Sequence, residues 1–383
     1  IVGDVLSVGP AVAVALSAAL MFLTGLADDV ISLTPSAKLA FQGIGGALLV
    51  TLGVVYRVTG VAVLDSVLTL VWFIALSNAG NLLDNMDGAA AGVAVVASLG
   101  FSVLFVLEGA FAEAALAAAV AGAALGFLPW NARAASIFMG DCGSLFLGGA
   151  LAGLGAAYTE AASSGGATAA LAPLLVCTVP LFDTTLVTVT RTLGRTSILQ
   201  GGRDHSTHRL VAMGLSEGRA VLALCGLGAL GGAIAVTMRG FDSDLGVCLA
   251  GLYAIGLLVL GAYLDRFHVY EGGDSRRIAR AAELLAEVVY RRRAFEVILD
   301  IAVFATAYAG AYLLRWDAAL PPGQATLLGN SIALAVAAKL ALFGVVGVYR
   351  GVWQGFSVAD LQRLWVATVG GSLATVGVVV VVF

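Results

Sequence analysis

Charge is scarce in this 383-residue chain. Asp, Glu, Lys and Arg together make up 11% of it, against about a quarter in ordinary soluble domains. With 60% hydrophobic residues, that scarcity excludes a typical soluble globular fold. Cysteine is also scarce. Cys142, Cys177, Cys225 and Cys248 show no metal-binding spacing, and three of them lie in apolar runs, as small core residues do. The His205 and His208 pair in HSTH has no third and fourth ligand at suitable spacing, so it is at most a zinc half-site. The apolar runs lack the polar–apolar alternation of a membrane barrel. No signal peptide or starting methionine is visible, so targeting has to be read from the spans themselves. The net charge of −4 says little, because its distribution matters more.

Runs of about twenty apolar residues recur from end to end, each long enough to cross a bilayer. They predict an all-α, polytopic transmembrane bundle of about twelve spans, near 9–26, 38–55, 66–83, 88–107, 110–128, 143–160, 167–190, 218–238, 243–263, 294–314, 325–349 and 361–383. The arginine-bearing segments 191–217 and 264–293 are separated by two spans and both read as cytoplasmic. Counting outward from them leaves only Arg57, Arg239 and Arg315 on the opposite side and Lys339 within a span. The same count brings Asp28, Asp29, Asp84, Asp87 and Asp141 to the cytoplasmic face, beside the loop that carries His205 and His208.

Carboxylates at membrane depth are costly and tend to mark function. Clustered, they repel one another and call for protons or cations. Asp and Asn oxygens suit Mg²⁺, with Mn²⁺ as the alternative. Arginines in 191–217 add donors for phosphate oxygens. Metal-holding acids beside a basic loop are the equipment of phosphoryl transfer. Blander readings stand beside this one. Asp28 and Asp29 read equally as part of a capping segment with Thr34, Pro35 and Ser36. FMGDCGS is also a Gly-rich turn. The two histidines fit a structural role as well as a catalytic one.

Four blocks then carry a resemblance: GLADDVISLTPSAKLAFQ (25–42), NAGNLLDNMDGAAAG (78–92), PWNARAASIFMGDCGSLFLGG (129–149) and PLFDTTLVTVTRTLGRTSILQGGRDHSTHRL (180–210). In order and on one face, they resemble the polyprenyl-phosphate N-acetylhexosamine-1-phosphate transferase family across residues 1–263. The resemblance implies transfer of a sugar-1-phosphate, GlcNAc-1-phosphate by default, from a UDP-sugar to a polyprenyl phosphate, with release of UMP. It implies that Asp28 and Asp29 lie near the attacking lipid phosphate and that Lys38 approaches the phosphates. Asn81 and Asp141 are implied to hold Mg²⁺. Asp87 and Phe138 are implied to hold and stack the uracil, with Asn85 beside them on the substrate. Arg203, His205, His208 and Arg209 are implied to reach the diphosphate and sugar. Asp84 shares the motif and is grouped with the catalytic acids, and His205 with them. Asp183, after Pro180, reads as a helix-break or structural residue. A direct in-line displacement is expected, with a covalent aspartyl-phosphate route as its rival.

Thr207 stands where many relatives carry a paired histidine, which argues against the phospho-MurNAc-pentapeptide translocase branch, the alternative within the family. The alternative from another class is an ion-coupled transporter. It should show mid-span charges or inverted repeats, and the sequence shows no repeat of the four blocks. The ends read as cut, at Ile1 and within GSLATVGVVVVVF, so family spans before the Asp28–Asp29 pair are expected to be missing. Residues 264–293 read as a basic amphipathic segment on the cytoplasmic leaflet or as a plain helical linker. Residues 294–383 read as a second membrane module of three spans. Its phrases 291–317 and 347–365 resemble the membrane anchor of polysaccharide-biosynthesis nucleotide-sugar dehydratases and epimerases, without a G-x-G-x-x-G motif. The expected setting is the bacterial plasma membrane. A homodimer is left open, and no nucleic-acid partner is expected.

Overall fold

A computed structural model of the chain describes residues 9–132, 134–162, 166–193, 202, 204–240, 243–265, 300–301, 303–312, 315, 321–348 and 358–382. The described residues are helical, with no strand among them, as the apolar runs predict. Contacts divide the chain into two units. One comprises Ile1–Ala250 with Leu260–Val269, the other Gly251–Val259 with Tyr270–Phe383.

The first unit holds α1 (Pro10–Ile31), α2 (Pro35–Thr51), α3 (Ala62–Leu83), α4 (Ala89–Glu108), α5 (Phe111–Asn131), α6 (Gly140–Ala161), α7 (Gly166–Val176), α8 (Thr178–Leu193), α9 (Ser206–Ala212) and α10 (Glu217–Gly240). The unit boundary runs through α11 (Ser243–Leu264). Their ends follow local chemistry. Pro10 opens α1, where its missing N–H costs nothing. Thr34 caps α2 by accepting from the Ala37 amide at 3.3 Å, ahead of Pro35. Gly88 enters α4 at φ 77°, a conformation that favours glycine.

Helix α6 is the hub. It packs against α1 and α3, while α4 pairs with α5 and α10. Within the span of α6, 83% of the residues are buried, against 28% for α5, so α6 is shielded by protein and α5 faces outward. Small residues permit this closeness. A Cβ on Gly80 of α3 would fall 2.8 Å from the Gly148 Cα of α6. Aromatic packing fills the wider gaps, as where Phe105 meets Tyr158 edge-on at 5.8 Å.

Eight described helices are long and apolar enough to cross a membrane, or nine if the bent pair α7–α8 counts as one span. The expected twelve are therefore not found among the described residues. Helix α2 has only 17 residues, and residues 294–299, 302, 313 and 314 of the span expected at 294–314 lie outside them. The single span expected at 167–190 is broken, because α7 and α8 meet at 74°. Pro180 lacks the N–H that would bond back to Val176, which lets α8 restart in a new direction. The broken pair still ends at the same face as the acids. Arg191, in the last turn of α8, pairs with Asp204 just before α9.

Ion pairs brace the opposite ends of the helices. Arg57 meets Glu160 at 3.0 Å, and Arg239 at the end of α10 holds Glu108 at the end of α4, with Nη2 donating to Oε2 at 2.9 Å. Asp65 accepts from the amides of Val58, Thr59 and Gly60 and ties down the loop before α3.

In the second unit, residues 303–312 are helical, followed by α12 (Pro322–Val346) and α13 (Val358–Val382). Phe304, Val336, Phe343 and Ala367 form its core, and Tyr308 Oη lies 2.9 Å from Ser331 Oγ. The Lys339 ammonium sits 5.4 Å above the Phe304 ring, a cation–π contact that shelters its charge. Of the basic segment expected at 264–293, residues 266–293 lie outside the described residues.

Candidate functional site

Four helix ends converge on one cluster. Asp28 and Asp29 lie in the last turn of α1, Lys38 in the first turn of α2, Asn81 in the last turn of α3 and Asp141 in the first turn of α6. Lys38 Nζ bridges two carboxylates. It pairs with Asp28 and donates to Asp141 Oδ2 at 2.5 Å. Asn81 Nδ2 donates to Asp141 Oδ1 and to Ser144 Oγ, each at 2.9 Å. Asp28 also accepts from the Leu33 amide at 2.5 Å, so it both turns the chain into α2 and enters the cluster. The capping and site readings of this segment are compatible.

Asp29 is oriented differently from Asp28. Its two oxygens accept from the backbone amides of Asp141 and Cys142, at 2.9 and 3.0 Å. Those are orphan donors at the start of α6, where the helix dipole favours a negative charge. Asp29 thus caps α6 from a neighbouring helix and holds the backbone of Asp141. Two glycines make room. A Cβ on Gly25 would lie 2.1 Å from the Asp141 carbonyl oxygen, and one on Gly140 would lie 2.8 Å from Asp29 Oδ2.

The second motif lies alongside. Asp84 follows α3, half-buried, with a pKa pushed up to about 6 by burial, then by Asp141 and Asp87. Asp84 therefore lies within electrostatic reach of both Asp141 and Asp87. Asp87 accepts from the Ala135 amide at 2.8 Å, which ties the 84–88 turn to the loop between α5 and α6. Asn131 secures the same junction, accepting from Gly88 N and donating to the Ile137 carbonyl. On that loop Phe138 is 78% exposed, leaving its ring face open to a planar partner.

The third element is α9. Asn85 Oδ1 accepts from Thr207 Oγ1 at 2.5 Å, joining α9 to the 84–88 turn. His205 is buried, with Nδ1 2.7 Å from Asp183 Oδ2. The other oxygen of Asp183 accepts from both the amide and the hydroxyl of Ser206 at 2.6 Å. Asp183 therefore does more than mark a helix break, because it orients His205 and anchors the start of α9. Its position after Pro180 was the only signal in the sequence, and nothing local disclosed its partners 22 and 23 residues away.

Arg209 departs from expectation. It is 2% exposed. Nε donates to the Asp204 carbonyl, Nη1 to the Leu264 carbonyl and Nη2 to Thr190 Oγ1. Its guanidinium braces α8, α9 and α11 together, so the expected reach toward a diphosphate is replaced by a structural role. Arg191 is likewise engaged, bidentate to Asp204 at 2.6 and 2.7 Å. That pairing holds the Asp204 carboxyl below its usual range although burial alone would raise it. His208 is half-buried on α9. Arg203 lies outside the described residues.

The donor set around Asp141 fits a hard divalent cation. Asp28, Asp141 and Asp84 offer carboxylate oxygens and Asn81 an amide oxygen, and burial, then the charges of Asp141 and Asp87, push the Asp84 pKa up. Among the described residues no three His, Cys, Asp or Glu side chains close around one point. Mg²⁺ commonly keeps waters and takes phosphate ligands alongside one or two carboxylates, so it would not require such a group.

Residues 11–159, which span the Asp28–Asp29 pair, the Asn81–Asp87 turn and Asp141, match the model of glycosyl transferase family 4. The chain is 38% identical over 259 residues to a decaprenyl-phosphate N-acetylglucosaminephosphotransferase of Mycolicibacterium smegmatis, covering 58% of this chain and 61% of that protein. It is 35% identical over 307 residues to the Mycobacterium tuberculosis protein of the same name, covering 71% and 74%. Similarity to a phospho-N-acetylmuramoyl-pentapeptide-transferase of Bacillus thuringiensis is 50% but extends over only 22% of this chain. The chain thus spans less than two thirds of the first of these relatives. With the family's motif residues gathered at one end of a helical bundle, and the longest of these matches running through most of both proteins, the chain belongs to glycosyl transferase family 4.

Proposed function

We propose that the chain transfers GlcNAc-1-phosphate from UDP-GlcNAc to a polyprenyl phosphate and releases UMP, at the cytoplasmic face of a bacterial plasma membrane. The observation that carries this reading is the meeting of Asp28, Lys38, Asn81 and Asp141, from four helices, at one end of an apolar bundle. A lipid phosphate and a soluble nucleotide can meet only at such a boundary.

In this reading an oxygen of the lipid phosphate attacks the β-phosphorus of UDP-GlcNAc. The bond from that phosphorus to the bridging oxygen breaks, and the electron pair leaves with UMP. Asp141 and Asn81 would hold Mg²⁺, which when bound would neutralise charge on the diphosphate. Asp28, beside Lys38, would receive the lipid phosphate and accept its proton. Phe138 offers its exposed ring to the uracil, with Asp87 behind it holding the loop. Asp183 fixes His205 on Nδ1, which directs the chemistry of that ring to Nε2. The covalent rival fits Asp29 poorly, because both oxygens of Asp29 already cap α6.

The test is UMP release from UDP-GlcNAc by the full chain with decaprenyl or undecaprenyl phosphate and Mg²⁺. Asp141→Asn should abolish release while leaving the helical fold intact. Undiminished turnover in that variant would show that the cation assignment is wrong, and no release from the wild type would refute the reaction itself.

A further inference from the structure

One side chain in the site already behaves as a cation between carboxylates. Lys38 Nζ contacts Asp28 and Asp141 together, within hydrogen-bonding distance of each. Asp141 Oδ2 is the oxygen it takes, and Asn81 occupies Oδ1. Both oxygens of the acid assigned to the divalent cation are therefore engaged within the protein. The Lys38 side chain is 26% exposed and those of Asp28 and Asp141 are 12% and 27% exposed, so an ion from solvent can reach them. Lys38 hangs on a flexible stem in the first turn of α2 and can swing away without moving a helix. A divalent ion and an ammonium on the same carboxylate oxygen would lie within a few ångströms of one another. Like charges that close repel strongly in a partly buried site.

We propose that Lys38 is a displaceable counter-cation: it holds Asp28 and Asp141 together in the metal-free protein and competes with the divalent cation for Asp141. The inference rests on the assignment of that cation to Asp141 and deepens it, by making metal loading and the Lys38 bridge mutually exclusive. Removing the ammonium should then tighten metal binding, where a residue that merely assists the cation would weaken it when lost.

The experiment measures Mn²⁺ binding by electron paramagnetic resonance, on the full chain in lipid nanodiscs with no substrate present. Lys38→Met should lower the Mn²⁺ dissociation constant on the order of ten-fold or more, as expected when a like charge leaves the site. Lys38→Arg, which keeps the charge, should stay near the wild type and controls for damage to the fold. An unchanged or weaker affinity in Lys38→Met would overturn the proposal, as would absence of Mn²⁺ binding in both the wild type and Lys38→Met. Tight Mn²⁺ binding by a wild type that releases no UMP would refute the transferase reading and leave the competition standing.

Discussion

Gly25→Ala tests whether the closeness of α1 and α6 is what assembles the site. The added Cβ would lie 2.1 Å from the Asp141 carbonyl oxygen and 2.4 Å from the Asp141 carbonyl carbon and the Cys142 Cα. All three atoms are backbone, so no side chain can rotate away. Contacts of Cβ below 3.0 Å are essentially never seen, so the two helices must separate locally by about 0.9 Å or more. That stretches the Asp29 bonds to the Asp141 and Cys142 amides, now 2.9 and 3.0 Å, to about 3.8 Å, beyond hydrogen-bonding range. A misplacement near 1 Å costs on the order of 100-fold in turnover. The effect on stability is smaller. Overpacking costs about 1–3 kcal/mol, and replacing a helical Gly by Ala returns about 1 kcal/mol. UMP release in membranes, read against thermal melting, separates the two. Gly122→Ala on α5, where nothing lies within 4 Å of the new Cβ, should keep full activity. Wild-type turnover in Gly25→Ala would refute the claim that this contact sets the position of Asp141.

Other outcomes follow from the same geometry. Asp84 has a folded pKa of about 6 against its ordinary 3.8, so the unfolded chain loses this proton first. Its contribution to stability therefore falls as pH rises from about 4 to about 6 and is flat above. Asp84→Asn should remove that slope from the melting temperature measured across this interval, and an unchanged slope would mean that another group causes it. Arg209→Met should lower stability, by about 1–3 kcal/mol for each buried acceptor it leaves unpaired, and a melting curve like that of the wild type would show the brace to be dispensable. Asp29→Ala should weaken Mn²⁺ binding through the loosened start of α6, while Asp29→Asn, which keeps one acceptor oxygen, should fall between Asp29→Ala and the wild type. Equal affinities in all three would remove Asp29 from the positioning of Asp141. Asp183→Asn should lower kcat far more than it raises KM for UDP-GlcNAc, if orienting His205 is its role, and a pure rise in KM would contradict that.

Amino-acid order by itself determined the medium and set the expected sidedness. Apolar runs with little charge can satisfy their backbone only as helices in lipid, and the arginine distribution orients them. The five acids fall at one face under that count, and their motifs disclose the family. Local chemistry also set the start of α2, because Thr34 and Pro35 act on neighbouring residues. Tertiary structure alone decided who partners whom. Asp28 and Asp29 are adjacent, yet one meets Lys38 and the other caps α6, since successive residues in a helix point about 100° apart and different neighbours lie on each side. Arg209 reads as a phosphate ligand in sequence, but packing of α8, α9 and α11 turns it inward. Pro180 and Asp183 hint at a break within the run read as one span, but not at the 74° angle between α7 and α8 or at the pairing of Asp183 with His205. Hydropathy records which residues leave water; it carries no information on the angle at which helices meet, and that angle sets every contact in the site.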